Sequence, residues 1–255
     1  MPDMDLLVRP ARSADRADGL LYESARPYYD AYAGGERRAR ALLAAVWDRP
    51  GHAASVEVCS VAEAGGRVIG VLAAFPAADA DRLARRFLSL TLRRMPPWRW
   101  PAVVRHLRAG ARLAPRPPAR SLYVDALAVA PGARHRGVAR ALLAHAERAA
   151  VDAGLGGVAL DTGLDNAPAR ALYERAGFAA ENVREAPGPA AARALGGRGF
   201  IAYYRPVRPS TDASASDTRA TWPSVMAGKN GRASDRAATS SHTGNSPGRW
   251  PKRSR

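Results

Sequence analysis

The stretch from Leu122 to Asp161 constrains the fold of this chain most. An apolar-rich run over 121–130 ends at Pro131-Gly132, crosses Arg134-His135-Arg136-Gly137-Val138-Ala139, and enters a segment with apolar residues at Val138, Leu142, Ala146 and Ala149. Spacings of four, four and three put those residues on one face of a helix over 137–153. A second apolar run follows at 157–161. A strand, a covering helix and another strand in that order fit a right-handed parallel crossover, so the chain is of the α/β (α+β) class.

The turn between the first strand and the helix carries chemistry of its own. A helix start leaves backbone N–H groups unpaired and carries partial positive charge. Gly137 and the small Ala139 let the backbone approach an anion closely, while Arg134 and Arg136 add charge. A pyrophosphate needs this combination. The turn matches neither a Gly-x-Gly-x-x-Gly fingerprint nor a Gly-x-x-x-x-Gly-Lys-Ser/Thr loop. His135, in the turn, and His145, on the helix, read as solvent-facing or as minor phosphate contacts rather than metal ligands.

The remaining pattern surrounds this unit with further elements. Leu6-Leu7-Val8-Arg9 reads as a first strand, and Ser13 as the cap of a helix from Ala14 with Asp15 and Asp18 in its first turn. A helix is expected over 36–47, and strands over 55–63 and 67–75 form a hairpin about Ala64-Gly65-Gly66. Helical spacing over 79–94 and 98–113, interrupted at Pro96-Pro97, makes 79–118 a helical insertion. After the crossover come a helix over 167–176 and strands over 178–185 and 199–207. Residues 1–208 read as one domain. From 209 to 255 Ser, Thr, Ala, Gly, Pro and Asn dominate without hydrophobic period, which predicts a disordered basic tail.

Composition excludes several classes. Cys59 is the lone cysteine, so a disulfide framework and a multi-cysteine zinc site are out, no metal is expected, and a reducing cytoplasmic setting is. The start, Met1-Pro2-Asp3-Met4-Asp5, lacks the basic and apolar stretches of a signal peptide. Apolar runs are too short to span a bilayer, so no integral membrane association is expected. Of the 39 basic residues only Lys229 and Lys252 are lysine. The formal net charge of +16 then reads as arginine-rich coding bias, or as an electropositive cleft for an anionic cofactor, rather than a nucleic-acid surface.

Two segments together resemble a known family. Arg134 to Ala139 is similar to the R-x-x-G-x-G/A signature of the GNAT superfamily of N-acetyltransferases. Asn166-Ala167-Pro168-Ala169-Arg170-Ala171-Leu172-Tyr173-Glu174-Arg175-Ala176-Gly177-Phe178 resembles its N-x-x-A-x-x-L-Y-x-x-x-G-F segment. The resemblance implies a mixed, mostly antiparallel twisted sheet flanked by helices, with the insertion lying before the fourth strand. It implies transfer of an acetyl group from acetyl-CoA to an unidentified amine acceptor by direct attack in a ternary complex. Acetyl-CoA would enter a gap between the strands at 121–130 and 157–161. Leu127, Ala128 and Val129 would pair with the pantetheine arm, and Arg134, His135, Arg136, Gly137, Val138 and Ala139 would hold the pyrophosphate. Tyr173 matches the acid that protonates the leaving thiolate.

Other site assignments stay open at this level. Asn166 matches the pantetheine contact and also suits a helix N-cap. Strand alternation puts Tyr123, Asp125 and Leu127 on one face; the resemblance implies an acid on this strand or its neighbour, so Asp125 is the first candidate for general base and Glu57, on the hairpin, the second. Tyr22, Tyr28, Tyr29 and Tyr32 line an acceptor pocket or pack as aromatic core. Trp98 and Trp100 belong to a substrate lid, a peripheral membrane contact or a cover for the sheet edge. The alternative function is a catalytically silent, CoA-binding regulatory module of the same fold, with the basic tail on nucleic acid. A homodimer is compatible with either.

Overall fold

Seven strands hydrogen-bond into one sheet in the computed structural model, which describes residues 5–207. They are β1 (Leu6–Pro10), β2 (Cys59–Ala64), β3 (Arg67–Pro76), β4 (Ser121–Val129), β5 (Gly157–Gly163), β6 (Ala179–Glu185) and β7 (Gly199–Pro206), ordered β1-β2-β3-β4-β5-β7-β6. Only β4 and β5 run parallel. The helices are α1 (Asp18–Ser24), α2 (Arg26–Ala33), α3 (Glu36–Val46), α4 (Ala80–Leu92), α5 (Trp100–Leu113), α6 (Val138–Asp152), α7 (Ala167–Arg175) and α8 (Pro189–Leu195). The expected mixed sheet is present, with α4 and α5 as the insertion before the fourth strand. The expected tail over 209–255 lies outside the described residues.

Side-chain alternation along the central strands builds two cores. Val71, Ala73 and Phe75 of β3 join Leu21, Tyr22, Leu43, Trp47, Leu83 and Val103 on one face, under α1 to α5. Leu72 and Ala74 join Leu142, Leu143, Ala146, Leu160 and Tyr173 on the other, under α6 and α7. Gly70 lets α6 seat closely on β3, since a Cβ there would lie 3.0 Å from Val138 Cγ1 and 3.1 Å from Leu142 Cδ1. Truncating Leu142 to alanine is expected to cost roughly 2–5 kcal/mol, through lost transfer energy and the cavity left behind.

Three local readings are corrected. The helix expected from Ala14 is a short 3-10 turn, Ser13–Asp15, followed by separate helices α1 and α2. Asp15 closes that turn on itself by accepting from the Arg12 amide at 2.6 Å, and it bonds Arg9 at 2.8 Å; Ser13 caps nothing. Pro27, lacking an N–H, then forces a fresh start at α2. The strand expected from Ser55 begins only at Cys59, after a 3-10 turn over Val56–Val58. Helix α8, between β6 and β7, was not expected, although Pro189 at its start and left-handed Gly196 at its end are ordinary helix punctuation.

Helix α5 lies against α2 and α8, and His106 of α5 approaches the Ala194 carbonyl at 2.8 Å. Trp98 and Trp100 remain 77% and 49% exposed at its start. Among the described residues, no helix is long and apolar enough to cross a membrane, and no group of three or more His, Cys, Asp or Glu is arranged to hold a metal.

Candidate active site

The parallel ladder between β4 and β5 is short. It runs from Ser121↔Gly157 to Val124↔Leu160 and stops. Beyond that point β4 stays paired to β3 as far as Val129, and β5 stays paired to β7 as far as Gly163. The facing edges of 125–129 and 161–163 therefore diverge, leaving a gap in the middle of the sheet. A bulge coincides with the split: Ala73 pairs with Ala126 and Ala74 with Val124, so Asp125 is the extra residue. Bulges bend a strand and increase its twist, which here turns β4 away from β5.

The bulge also overturns the expected shared face of Tyr123, Asp125 and Leu127. Tyr123, Ala126 and Ala128 pack on the side of α1 to α5, whereas Leu122, Val124, Leu127 and Val129 pack on the side of α6. A period of two holds only along an uninterrupted strand, and the extra residue resets it. Asp125 is left at the gap, and Leu127 is carried to the opposite side of the sheet.

The turn from β4 into α6 forms a cradle of backbone donors. His135 and Gly137 have φ of 61° and 82°, in the left-handed region, and a Cβ on Gly137 would meet only open space. Ala141 is the first amide of α6 to find a carbonyl, that of Gly137 at 3.0 Å. Among the described residues, none accepts from the amides of 135–140. Arg134, His135 and Arg136 are exposed around them, with Arg134 Nε donating to the Val129 carbonyl at 3.2 Å. His145 is not solvent-facing: it is buried with Nε2 3.1 Å from Ser60 Oγ. It sits on the stripe of α6 that packs on β2, and burial lowers its pKa.

Helix α7 holds two further expected residues, Asn166 at its cap and Tyr173 within it. Asn166 caps it, accepting from the Ala169 amide at 3.3 Å and donating to Thr162 Oγ1 at 3.1 Å. Both ends of its side chain are thus committed to holding α7 on β5. Tyr173 is only 6% exposed and packs on Tyr203 and Phe178, with ring centroids at 5.6 and 6.2 Å. Its phenol has no hydrogen-bond partner among the described residues. Burial, then the negative charge of Asp161, push its pKa up, so it stays protonated at neutral pH.

Acidic and aromatic groups converge from the other side. Tyr123 donates to Asp161 Oδ2 at 2.5 Å. Asp125 is open to water along the gap but crowded by protein elsewhere; this desolvation, then the Asp161 carboxylate, raises its pKa to about 7. Desolvation raises Asp161 to about 6, against the stabilising bond from Tyr123. Burial first, and next the charge of Asp125, raises the pKa values of Tyr28 and Tyr29 of α2. Their rings meet edge to face at 6.3 Å.

Glu57 is elsewhere. It lies on the 3-10 turn, accepts from the Gly51 amide at 2.9 Å, and its charge bears on His52 rather than on Asp125. Cys59 is fully buried with its thiol pKa pushed up, so it is no nucleophile. Asp161 went unnoticed in the sequence. What sets it beside Asp125 is that each lies two residues beyond a paired position, Tyr123↔Ala159. That pairing is a tertiary fact.

Residues 20–178 match the family model described as the Acetyltransferase (GNAT) family. Among solved structures, one described as an acetyltransferase superposes with a TM-score of 0.57 at 18% identity, over 79% of this chain and all of the other. An N-acetyltransferase from Staphylococcus aureus Mu50 superposes with a TM-score of 0.57 at 16% identity, over 78% of this chain and all of its own. At such identities these structures show a shared fold. No curated protein matches the sequence.

Proposed function

The chain belongs to the acetyltransferase (GNAT) family, and from that premise we propose that it transfers the acetyl group of acetyl-CoA to an amine acceptor inside the strand gap. One observation carries the reading: the unpaired amides of 135–140 follow the end of β4 at which it leaves β5, and Asp125 lies on that diverging edge. The cradle suits a pyrophosphate, with Arg134 and Arg136 neutralising charge. The open edge of Leu127, Ala128 and Val129 suits an amide-bearing arm that pairs as an added strand. His135, Val138 and Ala139 contribute main chain to the cradle.

The chemistry follows from the two sides of the gap. The acceptor arrives as ammonium, and Asp125, poised near neutrality, takes its proton. The freed nitrogen lone pair attacks the thioester carbonyl, forming the C–N bond. The C–S bond then breaks and the sulfur leaves with its electron pair. Tyr173 donates its phenolic proton to that sulfur, and the surplus proton of the new amide nitrogen restores the Tyr173 phenol. The products are an N-acetyl amine and CoA thiol. No covalent acyl-enzyme is needed, and buried Cys59 offers none. Asn166 acts by fixing α7, and with it Tyr173, against β5.

The test is calorimetric titration of the folded protein with acetyl-CoA, followed by thiol release over a panel of amines. Micromolar binding with acceptor-dependent release is expected. Absence of binding at high micromolar acetyl-CoA overturns the reading.

A further inference from the structure

We propose that the start of α5 and the outward stripe of that helix form a peripheral contact with an anionic phospholipid surface, a property separate from acyl transfer. The first observation is the distribution of charge. Between Arg82 and Val124 the chain carries eleven arginines and no aspartate or glutamate, so all 23 of its acidic residues lie elsewhere. Arginines in other parts of the chain, such as Arg9, Arg26, Arg40 and Arg198, pair with carboxylates. Of these eleven, only Arg82 is in an ion pair among the described residues, with Asp79. A coding bias toward arginine adds basic residues everywhere, but it does not remove acidic ones from one segment. The insertion is therefore a concentrated positive field, which calls for an anionic partner.

The second observation is where apolar surface is left open. Five large hydrophobic side chains are exposed among the described residues. Leu7 and Val183 stand singly on the edge strands β1 and β6. The other three, Trp98, Trp100 and Val104, stand together at the start of α5. Val103, His106, Gly110 and Leu113 turn the inner face of α5 into the protein. Trp100, Val104, Arg108 and Arg112, spaced by four, form the outer stripe, with exposed Pro101 and Arg105 beside it. The stripe begins with indole and aliphatic groups and continues in guanidinium groups over about 18 Å. A groove between α5 and α8 continues the same character: Ala109, Ala190 and Ala191 line it beside the same arginines, and Glu185 is its one carboxylate.

These two features match the two layers of a bilayer surface. Indole rings settle at the headgroup level, where an apolar body and a polar N–H are both accommodated. Guanidinium groups pair with lipid phosphates, and several of them near an anionic leaflet add their attractions. Pro96, Pro97 and Pro101 fix backbone torsions at the tip, so little conformational freedom is lost when it is held. Nucleic acid is the poorer match. From Arg93 to Arg116 there is no Ser, Thr, Asn, Gln or Lys to contact bases and sugars, and Pro101 and Val104 offer no aromatic face for stacking.

The experiment is co-sedimentation of the full chain with unilamellar vesicles, either of phosphatidylcholine alone or of phosphatidylcholine mixed with phosphatidylglycerol. Affinity for the anionic vesicles is expected to exceed that for the neutral ones by about tenfold or more. Two variants of the full chain separate this surface from the basic segment after 208: Trp98→Ala with Trp100→Ala, and Arg105→Gln with Arg108→Gln and Arg112→Gln. All five side chains are exposed, so both variants are expected to fold, which circular dichroism checks. The arginine variant is expected to lose about tenfold or more of the anionic-vesicle affinity, and the tryptophan variant about threefold or more. Lipids brominated on the acyl chain are expected to quench the tryptophan fluorescence of the unaltered protein more than that of the tryptophan variant. No preference for anionic vesicles, no quenching of the unaltered protein, or full vesicle affinity in either variant overturns the proposal. Full vesicle affinity in the arginine variant together with weakened binding of a single-stranded oligonucleotide assigns the surface to nucleic acid instead. Neither readout involves acetyl transfer, so the outcome is independent of the reaction proposed above.

Discussion

The two sides of the strand gap are built from different materials. On the α6 side the proposed binding groups are main chain: the amides of 135–140 and the open edge of β4 beyond Val124. On the α2 side they are side chains: Asp125, Asp161 and Tyr123. Main-chain donors need only a local conformation, here a left-handed Gly137 and the start of a helix seated on Gly70. They tolerate sequence change, and so suit a ligand shared by a whole family. Side chains discriminate by charge and shape, and so suit a ligand that differs from one member to the next.

Breaking the side-chain half is expected to have the largest effect. Asp125→Asn should lower kcat/KM by about 10²–10⁴, the usual worth of a general base, while acetyl-CoA affinity changes less than about threefold. In the unaltered protein kcat/KM is expected to rise with pH up to about 7, where Asp125 loses its proton, and that limb should vanish in the variant. Steady-state pH profiles check both; a retained limb removes Asp125 as the base. Tyr173→Phe comes next, with kcat lower by roughly 10- to 100-fold and unchanged acetyl-CoA binding by calorimetry.

The main-chain half is broken by backbone strain. Gly137→Ala puts a Cβ on a residue at φ 82°, a conformation costing roughly 1–2 kcal/mol for an L-residue. Acetyl-CoA affinity should fall about tenfold with the acceptor KM little altered. Loss confined to the acceptor KM would contradict the division between the two sides. A smaller effect concerns stability. The pKa values of Asp125 and Asp161 lie above their ordinary 3.8, so the folded chain holds protons that the unfolded chain has released. Their contribution is present below about pH 4 and is lost as pH rises through about 6 and about 7. Relative to the unaltered protein, the Tm of Asp125→Asn should therefore rise between pH 4 and pH 8 in thermal melts without ligand.

Legibility followed the same division. The 137–153 helix, the turn before it and the segment 166–178 were readable because each depends on local pattern: period, glycine placement and cap. The three-part start of the chain was not, because the contact of Asp15 with Arg9 competes with the helix that Ser13 and Ala14 suggest. Glu57 was read as a strand residue near the chemistry, but a turn bound to Gly51 holds it apart. His145 read as polar and surface-bound, yet Ser60, far away in sequence, gives it a buried partner.

By itself, then, the sequence determined the strand–turn–helix unit and the turn at 134–139, because hydrogen-bond periodicity and φ preference act over a few residues. Only the tertiary structure decided what stands opposite the cradle. The bulge at Asp125 sets where β4 leaves β5, and that one-residue offset leaves Asp125 on the diverging edge beside Asp161 and sends Leu127 across the sheet. Register is a property of paired strands, and a single strand carries no record of it.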